Sequence, residues 1–308
     1  MKKLIILSVL IIWGALANAQ NQYNMTQYML QHAFINPAAA AAGQNLDAAL
    51  FYRNQWTQFD GAPIMQGLNT NYHFKDEKNN VGATVLHDKI GVNNNFYASG
   101  TYAYRLNFEK SHLCFGASAS VSMLQSDFNQ VYLVDDNDPV FNANTPRITQ
   151  PNFKFGTYYY TDKFYVGFAI PNLLENKIVY ENAYKGKSSF NPKDMHLYLQ
   201  GGYRFKLNEK INLNSSTLIK QVSGAPMQID LNTQLAFNGK FSIGASFRTS
   251  KEIIALLGFN IKEYCTIGYA YDLNLDKIGN YSSGSHEIMI VYPVSISKET
   301  AAVRSPRF

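Results

Sequence analysis

The sequence is short of charge. Asp, Glu, Lys and Arg make up 16 % of its 308 residues, against roughly 25 % in an ordinary soluble domain. The net charge is a modest +5, and no Lys/Arg cluster interleaved with aromatics occurs, so no nucleic-acid partner is expected. Cysteine is almost absent, with Cys114 and Cys265 alone. The strand register derived below puts the two on opposite faces and predicts no disulfide. After the first 19 residues there is no run of about 18 apolar residues, which excludes a transmembrane helix. Also missing are the His-Glu-x-x-His, Cys-x-x-Cys and Gly-x-Ser-x-Gly patterns and any glycine-rich phosphate loop. The expectation is therefore no enzyme, no cofactor and no metal.

Aromatic residues are abundant, at 14 %, with 21 Tyr and 20 Phe. At the start, Lys2 and Lys3 precede an apolar run from Leu4 to Leu16, and Ala17-Asn18-Ala19 follows. This is the layout of a secretory signal peptide over 1–19, with cleavage before Gln20. A secreted chain poor in charge, rich in Tyr and without a membrane helix has one remaining way to live in lipid. Only helices and closed barrels satisfy every backbone group there.

Period-2 alternation recurs along the rest of the chain. Phe96, Ala98, Gly100, Tyr102, Tyr104 and Leu106 share one face, and Tyr97, Ser99, Thr101, Ala103 and Arg105 share the other. Leu113, Phe115, Ala117, Ala119, Val121 and Met123 alternate with Cys114, Gly116 and Ser118, Ser120 and Ser122. Ile229, Leu231, Thr233 and Leu235 alternate with Gln228, Asp230, Asn232 and Gln234. Fourteen strands are expected, near 47–56, 64–74, 80–88, 95–107, 112–124, 152–160, 164–170, 196–205, 211–220, 228–237, 241–248, 253–261, 264–272 and 285–292. Most approach the about 9–11 residues that a tilted membrane strand needs.

The connections support this reading. Every second one is short and carries Lys, at 75–80, 107–112, 161–163, 206–210, 238–240 and 262–263. The others include two long loops, 125–151 and 171–195, and a moderate one at 273–284. Short periplasmic turns and long extracellular loops are the outer-membrane pattern. Energetics choose the register, because Arg or Lys on the lipid face near the midplane costs about 2–4 kcal/mol. A one-residue slip of 228–237 would turn Gln228, Asp230, Asn232 and Gln234 to lipid. The favoured register puts Arg53, Arg105, Lys154, Arg204, Asp230 and Arg248 in the lumen or near a rim. The expected fold is all-β, a transmembrane outer-membrane antiparallel β-barrel over 47–292, followed by a tail over 293–308. A soluble secreted β-sandwich or β-helix would also alternate, but would not explain the loop rhythm.

Residues 20–46 precede the first strand and contain the apolar stretch Gln27 to Gly43. They are expected to lie in the periplasm or to plug the barrel, since fourteen strands leave interior space that eight do not. Several ordered motifs frame the barrel. Gln27-Tyr28-Met29, Asn36-Pro37-Ala38 and Gly43 come first. Tyr52-Arg53-Asn54-Gln55-Trp56 and Asp60-Gly61-Ala62-Pro63 follow. Gly284-Ser285-His286-Glu287-Ile288 leads into the last strand, and Ser305-Pro306-Arg307-Phe308 ends the chain.

This ordered set resembles the PorP/SprF family of outer-membrane proteins of the type IX secretion system of Bacteroidetes. Ser305 stands where the family often has Cys. The resemblance implies a barrel that serves export or surface attachment of large adhesins in secretion or gliding, recognising their C-terminal sorting domains. It also implies links to other, periplasmic components of the system. A general porin or hydrophobic-solute transporter is the alternative.

Among local features, Arg53 reads as a lumen arginine satisfied by polar neighbours, with a partner contact or plug anchor as the sharper option, and Trp56 as an interfacial aromatic. Asp60 to Pro63 reads as a tight turn. The acidic stretch Asp135-Asp136-Asn137-Asp138 reads as a solvated loop, with Ca²⁺ ligation as the sharper option. Asp272 and Asp276 form a weaker version of that option. His286 and Glu287 alternate faces and cannot serve one reacting atom. Protein recognition concentrates on aromatic and Arg anchors, so Tyr132, Phe141, Arg147, Tyr180 and Tyr184 in the long loops are the expected partner contacts.

Overall fold

The computed structural model describes residues 24–43, 46–128, 145–180, 184–192, 195–223, 225–261 and 265–294. The strands are β1 Leu46–Asn54, β2 Ile64–His73, β3 Asn79–Ile90, β4 Asn93–Asn107, β5 His112–Ser126, β6 Ile148–Tyr160, β7 Phe164–Ile170 and β8 Leu174–Tyr180. They continue with β9 Tyr184–Phe190, β10 Leu197–Lys206, β11 Ile211–Gln221, β12 Gln228–Phe237, β13 Phe241–Arg248, β14 Glu252–Ile261, β15 Cys265–Asn274 and β16 Ser285–Val294. Fourteen of them close into an antiparallel barrel, and β8 and β9 pair separately as a two-stranded sheet. Closure is made by β1, which pairs with β2 on one side and β16 on the other. The expected signal peptide and tail lie outside the described residues.

Local chemistry explains the walls. On β1, Asp47, Ala49, Phe51 and Arg53 are buried inside while Leu50 and Tyr52 are exposed. Asn69, Asn71, Gln150, Asn152, Gln200, Asn214, Asn232 and Gln234 are buried polar residues of the inner face. Leu68, Phe96, Phe115, Leu199, Leu231, Phe247 and Ile290 are exposed on the outer face. An outer apolar band around a polar interior is the membrane-barrel arrangement. Cys114 is buried on the lumen side, and Cys265 is half-buried on a strand whose inward positions are Gly268, Ala270 and Asp272. The β12–β13 connection is the three-residue turn 238–240, in which Asn238 and Gly239 have φ of 51° and 63°. Two left-handed residues match the twist of a hairpin, which Asn and Gly accept most readily.

Three expectations need correction. The first strand ends at Asn54, not residue 56, because Trp56 adopts φ 48°, a left-handed value that breaks extended backbone. The 171–195 loop is not plain loop, since it contains the β8–β9 hairpin. The sixth strand begins at Ile148 rather than 152, so the connection before it is shorter than expected.

The interior is occupied by the start of the chain. Met25, Tyr28, Met29, Phe34 and the run Ala38 to Ala42 are all buried. This segment folds as three short 3-10 turns, Tyr28–Leu30, His32–Phe34 and Pro37–Ala41. Pro37 begins the third turn and Asn36 caps it, its side chain accepting from the Ala38 N–H at 3.0 Å. The alanine run packs against β4, β5 and β6. It can do so because the facing wall positions lack side chains. A Cβ on Gly116 would lie 2.3 Å from Ala38 N, and one on Gly156 would lie 2.1 Å from Asn36 Oδ1.

Candidate functional site

The segment 24–43 crosses the interior from one rim to the other, and buried charges hold it at both ends. The upper site is built by β1, β15 and β16. Arg53 reaches Asp272 at 2.7 Å and Glu287 at 3.4 Å. Arg53 and Glu287 face each other across the β1–β16 ladder. One guanidinium and two carboxylates leave an excess of one negative charge, buried in a low-dielectric interior. The N-terminal segment supplies the missing donors. The Thr26 N–H donates to Glu287 Oε2 at 2.8 Å and the Gln27 N–H donates to Oε1 at 2.7 Å. Thr26 Oγ1 donates to Asp272 at 2.8 Å and accepts from Arg53 Nη1 at 2.8 Å. Gln27 Nε2 also donates to the Glu287 carbonyl at 3.1 Å. Buried ions are tolerable only when paired and hydrogen-bonded, and the segment supplies donors to both carboxylates.

Further down, Tyr28 OH accepts from Asn232 Nδ2 at 2.6 Å. A second buried ion cluster stands on the wall beside it. Arg248 donates from Nε to Asp230 at 3.0 Å and pairs with Glu252, and buried Lys220 lies on β11 across the ladder from Gln228. His32 sits among Tyr158 and Tyr165, with ring centroids 5.7 and 4.5 Å away. Asn36 Nδ2 donates to the carbonyls of Thr157 at 3.0 Å and Phe168 at 3.3 Å. At the lower rim Arg105 donates to the Ala41 and Gly43 carbonyls at 3.4 and 3.3 Å. Gln31 and Asn71 donate to Asp47 Oδ1 at 3.2 and 2.7 Å.

The upper rim is shaped by the motif loops. Gln55 N donates to the Pro63 carbonyl at 2.9 Å, and Gly61, at φ 71°, accepts from Gly91 N at 2.9 Å. Asp60 to Pro63 thus forms a turn, with Ala62 N donating to the Phe59 carbonyl at 3.1 Å. The Trp56 N–H donates to Ser285 Oγ, and the Thr57 N–H donates to the Gly284 carbonyl. The motif segments that are far apart in sequence are therefore stitched together at one corner. His286 faces away from Glu287, with its Nδ1 2.7 Å from Tyr269 OH.

The β8–β9 hairpin leans on the inner side of the upper β6. Gln150 Nε2 donates to the carbonyls of Lys177 at 2.9 Å and Lys187 at 3.3 Å, and Asn152 Nδ2 donates to the Leu174 carbonyl at 2.9 Å. Of the expected partner contacts, Arg147 is exposed beside the start of β6. Tyr184 is half-buried, its ring centroid 6.4 Å from that of Phe128. The backbone of Tyr180 pairs with that of Tyr184. Tyr132, Phe141 and the acidic stretch 135–138 lie outside the described residues, as do Pro306, Arg307 and Phe308. The Asp272–Asp276 idea is overturned. Asp272 belongs to Arg53, whereas Asp276 accepts from the Ile278 N–H at 3.2 Å and caps a 3-10 turn over Lys277–Asn280. No group of three candidate metal ligands occurs among the described residues.

Sequence reasoning put Arg53 inside but did not name its partners. Thr26, Glu252 and Asn71 carried no signal beyond being polar at an inward strand position or in the first segment, and Asp272 stood out only as a weak metal candidate. Barrel closure alone brings residues 26, 53, 272 and 287 together.

Comparison with known proteins supplies the family. The family described as "Type IX secretion system membrane protein PorP/SprF" matches residues 17–292. No curated protein matches the chain. Among solved structures, the chain is similar to the outer membrane protein Omp33 of Acinetobacter baumannii, with 9 % identity, a TM-score of 0.47, and 82 % of this chain and 100 % of that one covered. It is similar to a mutant of the monoaromatic hydrocarbon channel TodX, with 9 % identity, a TM-score of 0.49, and 87 % and 94 % covered. A Pseudomonas aeruginosa FadL homologue gives 11 % identity, a TM-score of 0.47, and 86 % and 94 % covered. The match over most of the length, on a closed barrel of fourteen strands with an apolar outer band, establishes that this outer-membrane chain belongs to the PorP/SprF family of type IX secretion system membrane proteins.

Proposed function

We propose that this barrel works as a binding component of the type IX system, not as a catalyst or an open pore. A secreted adhesin's C-terminal sorting domain docks at its extracellular mouth, on the loops over 127–147 and 171–196. Other components of the system engage the periplasmic turns. Residues 20–46 act as a fixed plug.

The observation that supports this reading best is the occupied interior. The segment 24–43 is buried along most of its length and hydrogen-bonded to the wall at both rims. A conduit for solutes would gain nothing from so many buried pins. The mouth, by contrast, carries a hairpin with exposed Ile178 and Phe190 and the exposed Lys177, Lys185 and Lys187. Of the anchor candidates, Arg147 and Tyr184 are the ones to test first.

The test is affinity purification of the tagged chain from outer membranes in mild detergent, with mass spectrometry of what co-purifies. The expected result is a large surface protein held through its C-terminal domain. Retention should fall in Arg147→Ala and Tyr184→Ala variants that still assemble. A partnerless barrel that conducts in planar bilayers would instead favour a porin.

A further inference from the structure

Across β3 to β5 the outer wall carries a cluster of Ala and Gly, bounded by bulky residues on β6. Strand register lines up three outward rows there. One runs Ala83, Gly100, Ala119, Phe153, the next Val81, Tyr102, Ala117, Phe155, and the third Val85, Ala98, Val121, Pro151. Gly100, Ala117 and Ala119 make a floor with almost no side chain, and a Cβ added at Gly100 would meet nothing within 4 Å. Tyr102 stands on one side, and Phe153, Phe155 and Leu173 stand on the other. Together they enclose a trough of about 640 Å³.

The far wall has a structural cause. Strand β7 stops at Ile170, opposite Phe155. Above that point β6 has no ladder partner on this side. The chain leaves the ladder there, and the Leu173 N–H donates to the Phe153 carbonyl at 3.0 Å. Pro151 has no N–H to offer, and its carbonyl accepts from Asn176 Nδ2 at 3.3 Å. The Phe153 N–H donates to its neighbour Asn152 Oδ1 at 2.8 Å. These devices blunt the strand edge against another strand. A β-strand partner therefore finds no hydrogen-bonding edge at the trough.

We propose that the trough seats one acyl chain of an outer-membrane lipid and holds it longer than ordinary boundary lipid. Three observations lead to this occupant. The trough is continuous with the apolar band that faces the hydrocarbon. Its outward-facing lining is apolar apart from the Tyr102 hydroxyl, which donates to Asn79 Oδ1 at 2.5 Å and so asks nothing of a ligand. Its floor carries only alanine methyls and a glycine while its walls are mainly aromatic, a shape that a flexible hydrocarbon chain fills by contact alone. The inference rests on the barrel in the membrane and is independent of the passenger reading.

The experiment uses the full barrel reconstituted in phosphatidylcholine vesicles containing increasing fractions of lipid brominated on the acyl chain. Phe153→Trp reports from the trough and Leu199→Trp from another outward position, each read against the parent protein, which carries Trp56. Depth changes the plateau of quenching, but preferential binding changes the midpoint. The expected midpoint for Phe153→Trp lies at a several-fold lower fraction of brominated lipid than for Leu199→Trp. Adding Gly100→Phe or Ala119→Leu, which fill the floor from outside the ladder, should remove the difference. Equal midpoints overturn the proposal, whether or not the filling variants fold. A photo-crosslinker placed at Phe153 in native outer membranes that captures protein and not lipid overturns it as well.

Discussion

Glu287→Ala is the sharpest test of how the N-terminal segment is held. The side chain points inward, so the β1–β16 and β15–β16 ladders do not need it. Its removal leaves Arg53 and Asp272 as a neutral pair at 2.7 Å, with no stranded charge. What is lost is the acceptor for two backbone N–H groups, at 2.8 and 2.7 Å. Hydrogen bonds to a charged group contribute about 1.5–3 kcal/mol each, so the segment's end should be weakened by about 3–6 kcal/mol. The lower bound corresponds to a rise of about 100-fold in local opening, at about 1.4 kcal/mol per tenfold. Hydrogen exchange followed by mass spectrometry would read this at Thr26 and Gln27, with the strands as internal control. The lower pins at Asn36 and Arg105 are untouched, so peptides covering 36–43 should stay protected. A rise below about tenfold at Thr26 and Gln27, or an equal rise in the strands, would refute the reasoning. The first outcome would mean the carboxylate is not what holds the segment, and the second that it supports the whole barrel.

Other perturbations separate the remaining parts. Gly156→Ala places a methyl 2.1 Å from Asn36 Oδ1. Overpacking of this kind costs about 1–3 kcal/mol, and it should raise protease sensitivity of the first segment while the strands remain resistant. Arg248→Met strands Asp230 and Glu252 in the interior. Losing one partner of a buried ion cluster costs about 3–5 kcal/mol, so the temperature of heat-modifiable gel migration should fall, and Asp230→Asn with Glu252→Gln on the same background should restore part of it. In the short turn after β2, hydrogen bonds from the Asn79 backbone and side chain hold the Asp76 carboxyl below its ordinary value of 3.8. A lowered value means that the turn's ordering by Asp76 is complete above pH 3.8 and fades only as pH falls further. Amide shifts of Lys78 and Asn79 should therefore titrate below 3.8, and their titration at or above it would count against the turn.

The sequence carried the barrel because its strands are local objects. Successive Cβ atoms alternate faces whatever the rest of the chain does. The cost of a charge in lipid then leaves each strand one register. The run from Phe96 to Leu106 shows this directly, since Tyr97, Ala103 and Arg105 are buried while Phe96, Tyr102 and Leu106 are exposed. Trp56 was misread as strand because an aromatic after an alternating run looks like its continuation. Its left-handed backbone is imposed by Ser285 and Gly284 across the corner. The β8–β9 hairpin escaped notice because Lys, Gly and Ser dilute its alternation. Its hold on the barrel comes from Gln150 and Asn152 on another strand.

By itself, then, the sequence determined how many strands cross, which face of each meets lipid, and where the long loops lie. It also marked the apolar opening stretch as something that needs a buried home. Only the tertiary structure decided where that home is and what secures it. Residue 26 meets 53, 272 and 287 because the first and last strands pair, and pairing over such separations is a property of closure that no local pattern encodes. The same closure turned Asp272 from a possible metal ligand into the partner of Arg53. A buried carboxylate takes whichever cation or N–H group the fold brings within reach.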